Sequence, residues 1–441
     1  MDTLIPEPAA GPRARAPLLP LPELPAAPLA GVAVPPFDRG LGVRYSVANL
    51  GASVIYALFN FGMPLYLSTY QLNPALIGLL ANERSFVGAL IQPLVGRFSD
   101  RTRTPLGRRR PFFLVGIPLM SGALLVLAIH PPLWAVLGIM AVAAFFLSVA
   151  WDPYIALMAD LFPPAQRGRV GGLIGVGSGV GTIIFLVLAL NLWAQHEYLV
   201  FALCTGLLLL TWAYTFFTVK EPPLTTVPEV APQKAARPDP AAYVRTLLRY
   251  PEAAKYTLAM TFFWLGTGGA LPFLTLFAVN ALGATAEQSF MLPLVATAAT
   301  AVFAVPAGYL ADRFSKKAIM TAGLLVFGLA SLIGSQSQNM LQATLILGVI
   351  GVGNAAMAQI TPMLTDLIPR QRTAEFIGLG SAVFSFAQPL GSVLAGAIVA
   401  TVIALAGTAS AYRWAFIFAG LMVLVALALL QTVKPERAVL E

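Results

Sequence analysis

Residues 96–111, GRFSDRTRTPLGRRRP, carry six arginines and one aspartate in sixteen positions. The stretch lies between two segments apolar enough to cross a bilayer. Only 10% of the 441 residues are charged, so such a cluster needs a reason. A basic loop of this kind meets nucleic acid, or it pins one side of a membrane protein. The flanking sequence decides for the membrane. The chain is 58% hydrophobic with mean hydropathy +0.79, whereas soluble domains are about 45–50% apolar and about 25% charged. Basic loops on one membrane face account for the formal net charge of +8 without a nucleic-acid partner.

Twelve apolar segments follow one another, near 46–69, 76–96, 112–130, 133–160, 169–193, 198–219, 254–280, 286–311, 318–336, 340–367, 373–404 and 410–432. In lipid only helices and closed barrels satisfy the backbone, and these runs are too long for barrel strands. Of 27 Lys and Arg, all but Arg84 and Arg413 fall in the tails or in loops after even-numbered segments. The positive-inside rule makes that side cytoplasmic and places both termini there. The expected organisation is a disordered proline-rich tail over 1–43, a six-helix half over 44–219, and a linker over 220–253 holding a short surface helix near 241–250. A second half over 254–433 and a tail over 434–441 complete it. The lone cysteine, Cys204, excludes an internal disulfide. His130 and His196 sit at separate loop positions and argue against a metal site. No Walker motif, catalytic triad or cofactor loop occurs, which argues against an enzyme or an ATP-driven pump. No cofactor is expected.

The two halves repeat. GRFSDR at 96–101 returns as GYLADR at 308–313, and ADLFPPAQR at 159–167 returns as TDLIPRQR at 365–372. Each pair follows the same span of its half, in the same order, which marks a duplication. Gly96 and Gly308 are suited to close helix approach. Asp100 and Asp312 are suited to pair with arginines or cap a helix end across the interface between halves. Asp160 and Asp366, at helix ends beside basic loops, read as gate or structural residues. Arg108, Arg109 and Arg110 also suit a plainer role, fixing topology and touching anionic lipid.

Gly96, Asp100, Arg101, Gly107, Arg108 and Arg109 together resemble the signature loop of the major facilitator superfamily, with Asp312 and Arg313 in the repeat. Five residues, 102–106, separate Arg101 from Gly107. That longer form, with Gln92-Pro93 upstream and ALMADL at 156–161, resembles the sucrose-transporter and glycoside–cation symporter branch. The resemblance implies an all-α integral membrane protein of twelve transmembrane helices in two pseudo-symmetric halves. It further implies a monomer in the plasma or bacterial inner membrane, moving a sugar or glycoside with protons by alternating access. The chain departs from the branch in places. Gly88 and Gln92 stand where melibiose-type symporters carry aspartates, and Ile155 stands where plant-type sucrose carriers carry an arginine. An exporter of amphipathic compounds and a non-transporting assembly factor are the alternatives. The absence of a Gly-Pro-x-x-Gly-Gly pattern in span five argues against drug antiport.

Charges inside spans are costly and therefore functional candidates. They are Glu83 and Arg84 in span two and Asp152 in span four, where Pro153 follows and would loosen the helix. In the fold that the resemblance implies, the first and fourth helices of each half line the cavity, which favours Asp152. Sugar sites combine amides or hydroxyls with aromatic platforms. Candidates are Tyr56, Asn60, Trp151, Trp264, Asn354, Gln359 and Gln388, each equally suited to an interhelical hydrogen bond. The glycines at 266, 268 and 269 suggest an opened helix beside Trp264. The glycine series from Gly171 to Gly181 suggests tight packing of span five.

Overall fold

A computed structural model describes residues 36–82, 98–221, 249–369 and 373–435, with positions 88, 91 and 94–96 between them. The expectations for Glu83, Arg84, Gln92, Pro93, the segment 241–248 and the far ends of both tails lie outside the described residues. The helices belong to one unit that begins at Asp38.

Ten helices among the described residues are long and apolar enough to cross a membrane. One of them, Gln166–Thr218, has 53 residues, about 80 Å at 1.5 Å per residue against a hydrocarbon core of about 30 Å. It is two crossings in one. His196 has non-helical φ −143 and ψ 49, which divides it into α5 (166–195) and α6 (197–218). The remaining spans are α1 (Arg39–Ser68), α3 (Arg110–Leu127), α4 (Leu133–Leu161), α7 (Pro251–Leu282) and α8 (Ala286–Arg313). They continue with α9 (Lys316–Gly334), α10 (Met340–Asp366), α11 (Phe376–Ala406) and α12 (Thr408–Thr432). The second span, α2, is described at its start, Pro74–Ala81, and in helical backbone at 94–96 and 98–100. Together these make the twelve expected crossings. The first begins earlier than its hydropathy suggests. Asp38 accepts from the Leu41 N–H at 3.0 Å and starts the helix at Arg39, so 39–43 belong to α1 and not to the tail.

Three of the four presumed cavity helices are distorted, each beside a proline. A π turn spans Leu58–Gly62 just before Pro64. A 3₁₀ turn spans Leu271–Phe273 around Pro272, and another spans Ala356–Gln359 before Pro362. Proline donates no hydrogen bond and its ring crowds the carbonyl four residues back, so the ladder is re-pitched there. Pro153 behaves differently: α4 runs through it unbroken. The break in α7 lies one turn beyond the glycines expected to open it. Gly266, Gly268 and Gly269 are helical and let α7 sit against Ala419, the Gln388 carbonyl and Phe418. They serve close packing.

The halves meet at the end that carries the short, nearly uncharged loops. Thr275 Oγ1 of α7 donates to the Phe61 carbonyl of α1 at 3.1 Å. Ser392 Oγ of α11 donates to the Gly78 carbonyl of α2 at 2.9 Å. A Cβ on Gly78 would lie 2.5 Å from the Ser392 carbonyl oxygen, and one on Gly396 would lie 2.6 Å from that of Pro74; only glycine allows the two backbones this close. Glu287 Oε1 of α8 accepts from the Ala194 N–H of α5 at 2.8 Å. Phe290, fully buried, rests its ring 5.2 Å from Trp193 and 5.8 Å from Phe185. These three hydrogen bonds and the Phe290 ring contacts join the halves at this end.

The arginine-rich end is open. Gly96, Gly171, Gly172, Gly175 and Gly179 each face space with no heavy atom within 4 Å of a Cβ position. Gly308 has only Gln359 nearby, at 3.9 Å. Within the series, the expectation of close packing along α5 therefore holds for Gly181, set against the Leu50 carbonyl of α1, and more loosely for Gly177, facing the Ser46 carbonyl. Tight approach at Gly96 and Gly308 is absent for the same reason: α2 and α8 stand apart from the facing half here.

Candidate functional site

Each half is tied internally by the same device. Tyr45 of α1 donates to the Tyr154 carbonyl of α4 at 2.7 Å, and Tyr154 returns a bond to the Tyr45 carbonyl at 2.9 Å. The rings stack with centroids 4.5 Å apart and planes 6° apart. In the other half Tyr256 of α7 donates to the Ile360 carbonyl of α10 at 2.8 Å. These tyrosines were not among the sequence candidates, although the signal was present: RYSVA at 44–48 repeats as KYTLA at 255–259. Ser46 and Thr257 also match, each bonding the carbonyl four residues back.

Just beyond the tyrosine pair, Tyr56 of α1 and Trp151 of α4 meet, with Asn60 one turn along α1 and Asp152 next to Trp151 in the chain. Trp151 sets its ring edge-on to Tyr56 at 5.4 Å and lies 5.4 Å from Tyr154. Asn60, in the π turn, donates to the Tyr56 carbonyl at 2.8 Å. Asp152 is half-buried, and its Oδ2 is buried with no hydrogen-bond partner. An unsatisfied carboxyl oxygen inside a span is costly. Oxygen in that position can accept a proton or a ligand hydroxyl.

In the other half, Trp264 packs edge-on against Phe384 at 4.6 Å. Both line a cavity of about 310 Å³ between α7, α10 and α11, with Tyr256, Thr257, Thr361 and Ser381 as its hydroxyl residues. The remaining amides are placed elsewhere. Asn354 lies 3.5 Å from Thr300 Oγ1, which itself donates to the Gly351 carbonyl, a tie between α8 and α10. Gln359 is buried in its 3₁₀ turn, and Gln388 lies where α11 crosses Gly268. Among the described residues, no group of three or more His, Cys, Asp or Glu gathers as a metal site.

The arginine loop is held by its own half. Arg108 bonds Asp160 at 2.5 Å; Arg109 reaches Asp160 at 3.4 Å, Asp100 at 2.7 Å and Ser99 at 2.6 Å. Asp100 thus pairs with a neighbouring loop residue and not across the interface. Asp312 is exposed and makes no ion pair among the described residues. The repeat mate of the Arg108–Asp160 contact is Lys316 to Asp366 at 2.6 Å. Arg101 is exposed, and Arg313 lies over the Phe314 ring at 5.8 Å. Glu221, unflagged in the sequence, accepts from the backbone N–H groups of Arg108, Arg109 and Arg110 at 2.6–2.7 Å. It occupies the positive N-terminus of α3. Gly107 reaches this contact with φ +105, a conformation that a side chain would oppose.

A family model of the Major Facilitator Superfamily matches residues 45–300 and, again, 256–440. The chain belongs to this superfamily, one of multi-pass membrane transport proteins and not of enzymes. Among curated relatives it is 27% identical over 153 residues to sucrose transport protein SUC3 of Arabidopsis thaliana, covering 28% of this chain and 26% of that protein. It is 32% identical over 170 residues to proton-associated sugar transporter A of Homo sapiens, covering 32% of this chain and 20% of that one. The chain thus spans about a quarter or less of these relatives. A solved bacterial homolog of the human lysosomal transporter Spinster, inward-facing and unoccupied, superposes with TM-score 0.69 at 15% identity, covering 91% of this chain and 96% of that one. That likeness is one of fold.

Proposed function

We propose that the protein is a secondary active transporter that moves a sugar or glycoside with protons by alternating access. The observation that carries this reading is the asymmetry of contact between the halves, joined at one end and parted at the other. One such state implies its mirror, reached by rocking about a central site. The positive-inside rule assigns the open, arginine-rich end to the cytoplasm, so this state faces inward with both termini inside. The halves 44–219 and 254–433 are the rocking bodies, and Arg108–Asp160 and Lys316–Asp366 brace the inner loops of each. Asp152 carries the proton, with Trp151, Tyr56 and Asn60 as one wall of the sugar site and Trp264 with its hydroxyl neighbours as the other. The similarity to the sucrose and proton-associated sugar transporters supports the substrate class. The apolar lining around Trp264 and Phe384 favours a second reading, efflux of an amphipathic compound.

The test is disaccharide uptake into proteoliposomes, with and without an inward proton gradient, for wild type and Asp152→Asn. Gradient-driven uptake lost in the variant supports proton symport through this carboxyl. Uptake retained moves coupling elsewhere. Wild type that takes up no sugar shifts the reading to efflux or to an assembly role.

A further inference from the structure

The closed end holds an imidazole–carboxylate pair apart from Asp152 and the arginine loops. His130, in the turn between α3 and α4, adopts φ +50, a left-handed backbone uncommon outside glycine. Its Nε2 lies 3.0 Å from Glu197 Oε2. Its ring lies 4.9 Å from that of fully buried Tyr66. The second oxygen of Glu197, Oε1, is buried without a hydrogen-bond partner. The other titratable groups around the pair are accounted for. The Tyr66 and Tyr70 hydroxyls of α1 are 3.2 Å apart and reach the carbonyls of Leu127 and Pro131. His196 sets its ring against Tyr198 at 6.0 Å. Glu287 of α8 is engaged by the Ala194 N–H.

The pair reaches the contact between halves through one short segment. Glu197 begins α6, His196 is the break, Ala194 donates to Glu287, and Trp193 seats Phe290. Whatever holds Glu197 therefore holds the segment that α8 closes upon. We propose that His130 and Glu197 form a second proton-binding site, on the outer face, whose charged form braces the α5–α6 break and keeps the outer end closed. This rests on the alternating-access reading. A protonated imidazole donates a charge-assisted bond to the carboxylate. Once neutral, the ring no longer offsets the charge of Glu197, whose Oε1 is already unsatisfied, and the buried carboxylate is then relieved only if the turn opens to water. Histidine is the side chain that changes charge between about pH 5 and 8, and His130 is 46% exposed, so it samples the outer solution. Protons from outside then favour outer closure, the step that turns a loaded importer inward.

The test is electron–electron double resonance on nanodisc-embedded protein with spin labels at Thr69→Cys and Thr408→Cys, one in each half at the outer end, in a Cys204→Ser background. Spectra are taken at about pH 5.5 and about pH 8, either side of the histidine range, with and without disaccharide. In the wild-type pair the ratio of outer-open to outer-closed distances rises about two- to fivefold at the higher pH, the scale of a partly exposed ion pair. His130→Gln and Glu197→Gln abolish that rise. A rise that persists in both variants, or two distances whose ratio ignores pH in the wild type, overturns the proton site and leaves alternating access standing. A single unchanging distance under every condition overturns both.

Discussion

At the scale of the residue, Asp152 is the position where chemistry and cost coincide. Its unpartnered oxygen in a membrane span is tolerated only if something is gained. Asp152→Asn should lower gradient-driven uptake by more than about tenfold, a loss of about 1.4 kcal/mol or more in the transition state, while sugar exchange without a gradient persists; initial-rate assays separate the two. The tyrosine ties make a different prediction. Tyr45→Phe removes one buried hydrogen bond, and Tyr256→Phe removes its counterpart in the other half. Each should destabilise by about 1 kcal/mol. The double variant should show additive losses in thermal unfolding because the sites share no partner, whereas Tyr45→Phe with Tyr154→Phe should not add.

At the scale of the element, proline and glycine decide where helices bend and where they touch. Pro64, Pro272 and Pro362 each accompany a turn of altered pitch, while Pro153 does not. The crossing of α2 and α11 depends on Gly78 and Gly396. Gly78→Leu should therefore hold the outer end apart: the protein is made and folds, uptake falls to background, and outer-end cysteines become labelled faster by an impermeant maleimide. Unchanged labelling would mean that this crossing does not set the closed state. The start of α3 depends on Glu221, whose carboxylate serves three backbone N–H groups. Glu221→Ala should cost about 1–2 kcal/mol, as the loss of a helix cap does, and Glu221→Gln less, by the same thermal measurement.

At the scale of the whole molecule, the face of α5 toward the open end is the surface that alternation must cover. Gly171→Cys and Gly175→Cys, both facing open space, should react readily with a thiol reagent applied from the cytoplasmic side. A condition that populates the outward state should slow that reaction severalfold. Equal rates under all conditions would argue that the two halves do not rock.

Much of this architecture was legible in the chain. Twelve crossings and the duplication follow from apolar length and the repeated GRFSDR and GYLADR, because a bilayer imposes span length locally, residue by residue. The meeting of Tyr56 and Trp151 was legible as a list but not as a site, since residues on two helices meet only once α1 and α4 pack. The glycines were misread for the same reason. A glycine series looks alike whether its face is in contact, as at Gly181, or exposed, as at Gly171, and that depends on which end of the molecule is closed. Asp100 was expected to reach across the halves, but Arg109 lies nearer in its own loop. Sequence by itself determined the spans and the two-fold plan. Only the tertiary structure decided which partners the charges take and which end is shut, because those depend on long-range approach between helices far apart in the chain.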